Sequence, residues 1–313
     1  MNIDLLKDLV SEKILILDGA MGTMIQEKNL QEDDFRGIFF KNHKVNLKGN
    51  NDVLSLTSPE VIKDIHRSYL EAGADIICTN TFSSTKISQK EYFLDSYIKD
   101  LNLASIKIAR EVANEYTKIT PGKPRFVAGS IGPTNKMASI SPNVECPEYR
   151  DITFDDLVNN YKEQAEIFIQ NDVDIILIET IFDTLNAKAA IYAVKEALKE
   201  RNKDIPIMIS VTITDKSGRT LSGQTIEAFY YSVEFCNPFC VGINCALGIE
   251  EMIPYIERLS KIAKCNVSLY ANAGLPDAFG KYNDTPEIMA NGYRYLAKNG
   301  CVNICGGCCG TTP

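Results

Sequence analysis

Apolar segments rich in Ile and Val alternate with longer amphipathic segments along the whole chain, and this alternation restricts the fold more than any other feature. The pattern is typical of repeated β-strand and α-helix units whose strands lie parallel. The predicted strands are residues 14–20, 74–82, 125–131, 174–180, 206–213, 239–246, 266–273 and 301–308. Eight such units predict a closed (β/α)8 TIM barrel.

Helices are predicted between the strands from the spacing of apolar residues and from start and stop signals. One helix should begin at Pro59 with Ser58 as its N-cap and end at Gly73. The other predicted helices are residues 96–117, 153–171, 183–201, 225–235, 249–264 and 285–299. Seven helices therefore follow seven strands.

The eighth strand is followed only by a few residues up to Pro313, so the eighth helix of a regular barrel is missing from this sequence. Residues 31–51 form a long first loop, and no linker divides the chain. We expect a single domain covering residues 1–313. The chain is either a fragment of a longer protein or a barrel in which the gap left by the missing eighth helix is covered in some other way.

Composition excludes several classes of protein. The chain carries 33 Lys and Arg against 41 Asp and Glu, a net charge of -8, and no basic run, which argues against binding to nucleic acid. No segment is long and apolar enough for a membrane span, and the N-terminus lacks the features of a signal peptide. We therefore expect a cytoplasmic protein, in which the functional cysteines among the ten act in metal binding or catalysis rather than in disulfides.

Three cysteines lie where predicted strands end. Cys245 ends the sixth strand, and the adjacent pair Cys308 and Cys309 ends the eighth. Active sites of such barrels lie at the carboxyl ends of the strands, so these thiols should converge there. Neighbouring side chains on a strand point to opposite faces, but Gly307 and Gly310 allow the strand to break into a loop. Three thiolates at one point predict a zinc site with one open coordination position.

Other interpretations of the same residues remain open. Cys305 and Cys308 have the spacing of a redox dithiol, and the glycine-rich loop resembles a phosphate-binding loop. With only His43 and His66 available, a Ser/His/Asp triad or a His-rich metal centre has little to be built from, and His66 is expected to be a surface or packing residue of its helix. The remaining cysteines considered are expected to be apolar filler: Cys78, Cys236, Cys240, Cys265, Cys301 and Cys305.

The charge of the predicted metal site restricts its chemistry. Zinc with three thiolates is formally negative, so it is a poorer choice for ionising water than zinc held by neutral imidazoles. A fourth thiolate, supplied by a substrate, suits it better, because a thiol with an ordinary pKa of about 8.5 loses its proton when it binds a metal. Such a sulfur remains nucleophilic and can attack an activated methyl group.

Several motifs together resemble the homocysteine-binding domain of the zinc-dependent homocysteine S-methyltransferase family, and the resemblance covers essentially the whole chain. The shared motifs are Leu17-Asp18-Gly19-Ala20-Met21-Gly22-Thr23, Thr79-Asn80-Thr81-Phe82, Gly242-Ile243-Asn244-Cys245 and Gly307-Cys308-Cys309-Gly310-Thr311. Segments 50–54, 139–142, 179–189 and 217–224 are more narrowly similar to the N-terminal module of cobalamin-dependent methionine synthases. Cys78 departs from the pattern, because an acidic residue is expected at its position.

The resemblance implies that Cys245, Cys308 and Cys309 hold one Zn²⁺ and that the thiol of homocysteine completes the coordination. It also implies that Asp18 and Glu179 face the amino-acid end of the substrate. Backbone N–H groups around Gly19 and Met21 would bind the substrate carboxylate. For both Asp18 and Glu179, the alternative is a carboxylate that caps or orders a loop.

The implied donor is methylcobalamin carried by another domain or chain, so cobalamin-binding and folate-binding modules are the expected partners. A second interpretation is a stand-alone methyltransferase that uses S-methylmethionine or betaine. A third, of another class, is a non-catalytic zinc-binding or thiol-binding module or an inactive truncation.

Overall fold

A computed structural model describes residues 3–214, 216–278 and 280–313. Eight parallel strands form one sheet in the order β1-β8-β7-β6-β5-β4-β3-β2. The strands are β1 (Leu15–Ile16), β2 (Ile76–Cys78), β3 (Phe126–Ile131), β4 (Ile175–Ile181), β5 (Ile207–Val211), β6 (Cys240–Gly248), β7 (Asn266–Asn272) and β8 (Ile304–Gly307). All eight predicted strands are present.

The sheet closes into a barrel between β1 and β2. Leu17 forms an isolated parallel bridge with Ile76. The N–H of Asp18 donates to the carbonyl oxygen of Ile76 at 2.9 Å, and the N–H of Asp75 donates to that of Ile16 at 2.7 Å. The predicted (β/α)8 TIM-barrel fold is therefore confirmed, with a short seam at this point.

Helices cover the outside of the barrel and lead into it. They are α1 (Ile3–Glu12), α2 (Met21–Glu27), α3 (Glu32–Arg36), α4 (Leu54–Thr57), α5 (Pro59–Ala72), α6 (Lys86–Gln89), α7 (Ile98–Ile119), α8 (Phe154–Gln170), α9 (Thr184–Arg201), α10 (Ile226–Val233), α11 (Ile249–Ile262) and α12 (Pro286–Lys298). The seven helices α5 and α7 to α12 follow β1 to β7 in turn. None of the described helices is long and apolar enough to cross a membrane.

Helix α5 shows which local signals were reliable. Pro59 is its first residue, and Gly73 ends it with a left-handed φ of 113°. Ser58 occupies the N-cap position as expected, but its side chain makes no cap hydrogen bond. Its hydroxyl instead donates to the carbonyl oxygen of Asp34 at 3.0 Å, which ties the first loop to the start of α5.

Residues 308–313 follow β8 and contain no helix. Between α12 and α5, a groove of about 570 Å³ runs along the outside of β8 and β1. Its lining includes Ile16, which points outward from β1 and is 43% exposed, together with Met289 and Ala297 of α12. The groove lies at the position where a regular barrel has its eighth helix.

Candidate active site

The three candidate metal ligands meet at the carboxyl end of the barrel. The Sγ atoms of Cys245, Cys308 and Cys309 all lie within 4.8 Å of one another, and those of Cys245 and Cys309 are 3.8 Å apart. All three side chains are half-buried. Among the described residues, this is the one group of three or more metal-ligating side chains so close together.

Backbone irregularities bring these thiols together. In β6, Cys245 and Ala246 have left-handed φ values of 62° and 67°, and the pairing with β7 shifts register after Asn244. The strand β8 ends at Gly307, and a turn follows in which the N–H of Thr311 donates to the carbonyl oxygen of Cys308 at 3.0 Å. Since the strand has ended, the neighbouring thiols of Cys308 and Cys309 both reach the opening at the carboxyl end of the barrel, called the mouth below.

The thiols depend strongly on one another for their protonation. Hydrogen bonds from Cys245 and Cys308 lower the pKa of Cys309 to about 3. Hydrogen bonds with Cys245 and Cys309 raise the pKa of Cys308 well above its ordinary value. Without a cation, the cluster therefore favours a single thiolate, whereas a metal ion among the three sulfurs would allow all of them to ionise. Three sulfur donors fit a soft divalent metal.

Two carboxylates lie in the same mouth, on β4 and just after β1. Glu179 accepts hydrogen bonds from the Ser130 hydroxyl at 2.5 Å and the Tyr270 hydroxyl at 3.4 Å. Asp18 accepts one from the N–H of Cys78 at 2.8 Å, so it also has part of the loop-ordering role considered as its alternative.

Burial is the main cause of the altered acidity of both carboxyl groups. It raises the pKa of Glu179 to about 7 and that of Asp18 to about 7, and for Asp18 the charge of Glu179 adds to the effect. No cationic side chain among the described residues lowers either pKa. The pair therefore lacks the positive partner that a buried carboxylate requires, and a ligand ammonium group would supply it.

Asn244 connects the carboxylate side of the mouth to the thiol side. It is fully buried, and its amide accepts from the N–H of Thr180 at 3.1 Å and donates to the Thr180 hydroxyl at 2.9 Å. Thr180 has a left-handed φ of 56°, which is rare for a β-branched residue. Asn244 thus holds the residue after Glu179 and directly precedes Cys245. This role was not predicted from the sequence, although a polar residue within an apolar strand was a usable signal.

The first loop lies against the turn that carries the cysteine pair. Gly19 has no room for a side chain, because an added Cβ would lie 2.8 Å from the Thr311 hydroxyl and from the Tyr69 ring. The N–H of Ala20 donates to the Thr311 hydroxyl at 3.2 Å, and α2 begins at Met21 without a side-chain N-cap. First-turn N–H groups have no partner within their own helix. Gly19 precedes the N-cap residue Ala20 and Met21 is the first residue of α2, so both lie close to Asp18 in the chain.

Comparison with known proteins identifies the family. Residues 15–313 match the family model described as homocysteine S-methyltransferase. The chain belongs to the homocysteine S-methyltransferase family. This family member is accordingly a methyltransferase, and the resemblance found in its motifs is confirmed.

Solved structures of similar fold include the homocysteine methyltransferase MmuM from Escherichia coli. Its metallated form is 22% identical with a TM-score of 0.72, and the match covers 100% of this chain and 96% of that one. Its oxidized form is 21% identical with a TM-score of 0.74, and the match covers 98% and 96%. At this identity the structures establish the fold.

The cysteines expected to be apolar filler in this methyltransferase do not all behave alike. Cys236, Cys240, Cys301 and Cys305 are buried and Cys265 is half-buried. Burial raises the pKa of Cys305 to about 12, which does not suit a redox dithiol with Cys308. Cys78 lies beside the site, because its backbone holds Asp18 and its thiol also hydrogen-bonds with that carboxylate.

His66 takes no part in the site. It is fully buried in α5, neither ring nitrogen has a hydrogen-bond partner among the described residues, and burial lowers its pKa to about 4. It is therefore a packing residue, one of the two possibilities expected for it.

The rim of the mouth carries large apolar side chains that face solvent. Val144 is 92% exposed, the highest fraction in this set. The set comes from the loops and helix start that follow β2, β3, β4, β5 and β7, and comprises Phe82, Ile140, Val144, Tyr149, Leu185, Leu221 and Leu275. A molecule that approaches the polar site from solvent would meet these side chains.

Proposed function

We propose that this family member transfers a methyl group to the sulfur of homocysteine and forms methionine, with one Zn²⁺ held by Cys245, Cys308 and Cys309. The main support is the convergence of three thiols within 4.8 Å in a barrel mouth. The same mouth holds two buried carboxylates whose pKa no cationic side chain among the described residues lowers. The two groups match the two ends of a substrate that has a thiol and an ammonium group.

The spacing of the thiols agrees with tetrahedral zinc. Sulfur atoms bound at about 2.3 Å in a tetrahedron lie about 3.8 Å from one another. The Sγ atoms of Cys245 and Cys309 have this separation, 3.8 Å. When bound, zinc would supply a positive charge that keeps the substrate thiol deprotonated at neutral pH. The free thiols also suit a reducing compartment such as the cytoplasm.

Asp18 and Glu179 would orient the amino-acid end of the substrate. An ammonium group between them would lower the pKa of both from about 7 and keep them ionised. The N–H groups of Gly19 and Met21 would bind the substrate carboxylate at the start of α2. The Tyr270 hydroxyl donates to Glu179 at 3.4 Å and would help to hold that carboxylate toward the substrate.

The proposed donor is methylcobalamin on another domain or chain, with a folate-binding module as the further partner. The exposed apolar rim supports a donor carried by a macromolecule, because a small sulfonium or betaine does not require such a surface. In the reaction, the carbon–donor bond breaks, the methyl group bonds to sulfur, and the donor leaves with its electron pair.

The test compares donors with the zinc-loaded chain and homocysteine, measuring methionine. We expect turnover with methylcobalamin and none with S-methylmethionine or betaine when cobalamin is absent. Turnover with either small donor alone would favour the stand-alone methyltransferase. Stoichiometric zinc and homocysteine binding without turnover with any donor would favour the non-catalytic module.

A further inference from the structure

Thr311 lies between the turn that carries the cysteine pair and the loop that carries Asp18. Its hydroxyl donates to the carbonyl oxygen of Cys308 at 2.7 Å and accepts from the N–H of Ala20 at 3.2 Å. A hydroxyl group can donate one hydrogen bond and accept others, so this one bridges two backbone segments. The Tyr69 hydroxyl of α5 donates to the carbonyl oxygen of Thr311 at 3.3 Å. The bridge is therefore held in place from α5 as well.

Thr23, in the first turn of α2, makes a second bridge between the same two segments. Its hydroxyl accepts from the N–H of Gly310 at 2.9 Å. A backbone bond completes the set, since the N–H of Gly307 donates to the carbonyl oxygen of Asp18 at 3.0 Å. The packing is also close, because a Cβ added to Gly307 would lie 2.3 Å from the Thr311 hydroxyl. The two segments are therefore packed and bonded as one unit.

We propose that Thr23 and Thr311 are positioning residues that couple metal binding to binding of the amino-acid end of the substrate. This inference rests on the proposed zinc function, in which Cys308 and Cys309 hold the metal and Asp18 faces the ammonium group. A metal ion that fixes the cysteine turn also fixes, through the two hydroxyls, the loop that carries Asp18. A ligand at that loop then binds a preorganised site and loses less conformational freedom. Because coupling is reciprocal, each ligand should strengthen the binding of the other by the same factor.

The test uses α-aminobutyrate, which has the ammonium and carboxylate groups of the substrate but no sulfur. Its dissociation constant is measured by calorimetry with the metal-free and the zinc-loaded chain, and the ratio of the two is the coupling factor. We expect a factor of about five or more in the wild type. Thr311→Val and Thr23→Val keep the side-chain shape but lose the hydroxyl, so each should reduce the factor to about two or less. Thr311→Ser keeps the hydroxyl and should retain the wild-type factor.

Thr117→Val is the matched control. The Thr117 hydroxyl also donates to a backbone carbonyl oxygen, that of Ala113 at 2.8 Å, and accepts from a backbone N–H, that of Arg125 at 3.0 Å, but it belongs to the outer helix α7. Its coupling factor should equal that of the wild type. A wild-type factor near one, or an unchanged factor in both Thr311→Val and Thr23→Val, would overturn the inference.

Failure of the proposed function gives a different result. If the wild type holds no stoichiometric zinc, or if its zinc-loaded form does not bind α-aminobutyrate, the metal site or the substrate assignment is wrong and the coupling falls with it. Circular dichroism checks that each variant folds. If Thr311→Val does not fold, Thr23→Val decides the question, because Thr23 is half-buried and its replacement disturbs less packing.

Discussion

The two sides of the barrel mouth solve a similar electrostatic problem with different construction. On the thiol side, Cys245 and Cys309 depend on irregular backbone, with left-handed residues in β6 and a turn after β8. On the carboxylate side, Glu179 also lies at an irregular position, the register shift of β4 before the left-handed Thr180, but its carboxylate is held by side-chain hydroxyl groups from β3 and β7. Each side gathers acidic groups that need a cation, a metal in one case and an ammonium group in the other. The two sides should therefore fail separately.

The largest expected effect comes from the thiol side. Cys309→Ala should abolish stoichiometric zinc binding and reduce methyl transfer at least about a thousandfold, because two thiols no longer define the site. The fold should persist, since the half-buried side chain is small. Metal analysis measures the bound zinc, and circular dichroism measures whether the fold persists. Cys305→Ala, outside the cluster, should retain zinc, and wild-type zinc occupancy in Cys309→Ala would refute the ligand assignment.

A smaller and different effect is expected from the carboxylate side. Glu179→Gln should keep zinc but raise the KM for homocysteine about a hundredfold, because a charged hydrogen bond to the ammonium group is lost. Asp52→Asn is a matched control: Asp52 is also buried with a pKa raised to about 7 by burial, but it accepts from Ser83 and Ser84. Its KM should stay unchanged. Loss of zinc in Glu179→Gln would show that the two sides are not separable.

Asn244 tests the connection between the sides. Asn244→Ala should lower the free energy of unfolding by about 2–4 kcal/mol, because buried partners on Thr180 and Ser210 lose their hydrogen bonds. It should also weaken both zinc and homocysteine binding about tenfold. Denaturant unfolding and titration measure these changes. Asn303→Ala, which removes an amide that accepts from the N–H of Val267 at the amino-terminal end of the barrel, should destabilise without altering either affinity.

A further expected effect is a dependence of stability on pH. Burial raises the pKa of Asp18 and Glu179 to about 7 from ordinary values of 3.8 and 4.5, so between pH 5 and 7 the folded protein holds more protons than the unfolded chain. Their contribution to stability is therefore present at low pH and is lost as pH rises through about 7. The free energy of unfolding, measured with urea at several pH values across this range, should change less steeply with pH in Glu179→Gln than in the wild type. Equal slopes would contradict the raised pKa.

The fold was largely predictable because its signals are local. Apolar periodicity located the strands and seven outer helices, and the helix ends differ from prediction by at most two residues. Strand ends were less predictable: β1 comprises only Leu15–Ile16 and β2 only Ile76–Cys78, because the polar residues that follow enter loops of the mouth.

The candidate site was predictable where barrel geometry alone decides position. The carboxyl ends of all strands of a parallel barrel lie at the same end of the barrel, so Cys245 could be predicted to lie close to Cys308 and Cys309. The role of Asn244 was missed because its partners depend on strand register. Asn244 bonds to Thr180, 64 residues away, across a register shift in β4 that no local pattern announces.

The seam between β1 and β2 has a consequence for dynamics. Among the described residues, β1 and β2 are joined there by the Leu17–Ile76 bridge with its two backbone hydrogen bonds, one of them donated by the N–H of Asp18, and by the carboxylates of Asp75 and Asp18, which accept from backbone N–H groups across the seam. Local opening requires least free energy where the fewest hydrogen bonds must break. Amide hydrogen exchange at Asp18 and Asp75 should thus be among the fastest in the sheet, and a ligand held by Asp18 should slow it, so the seam itself would report occupancy of the mouth.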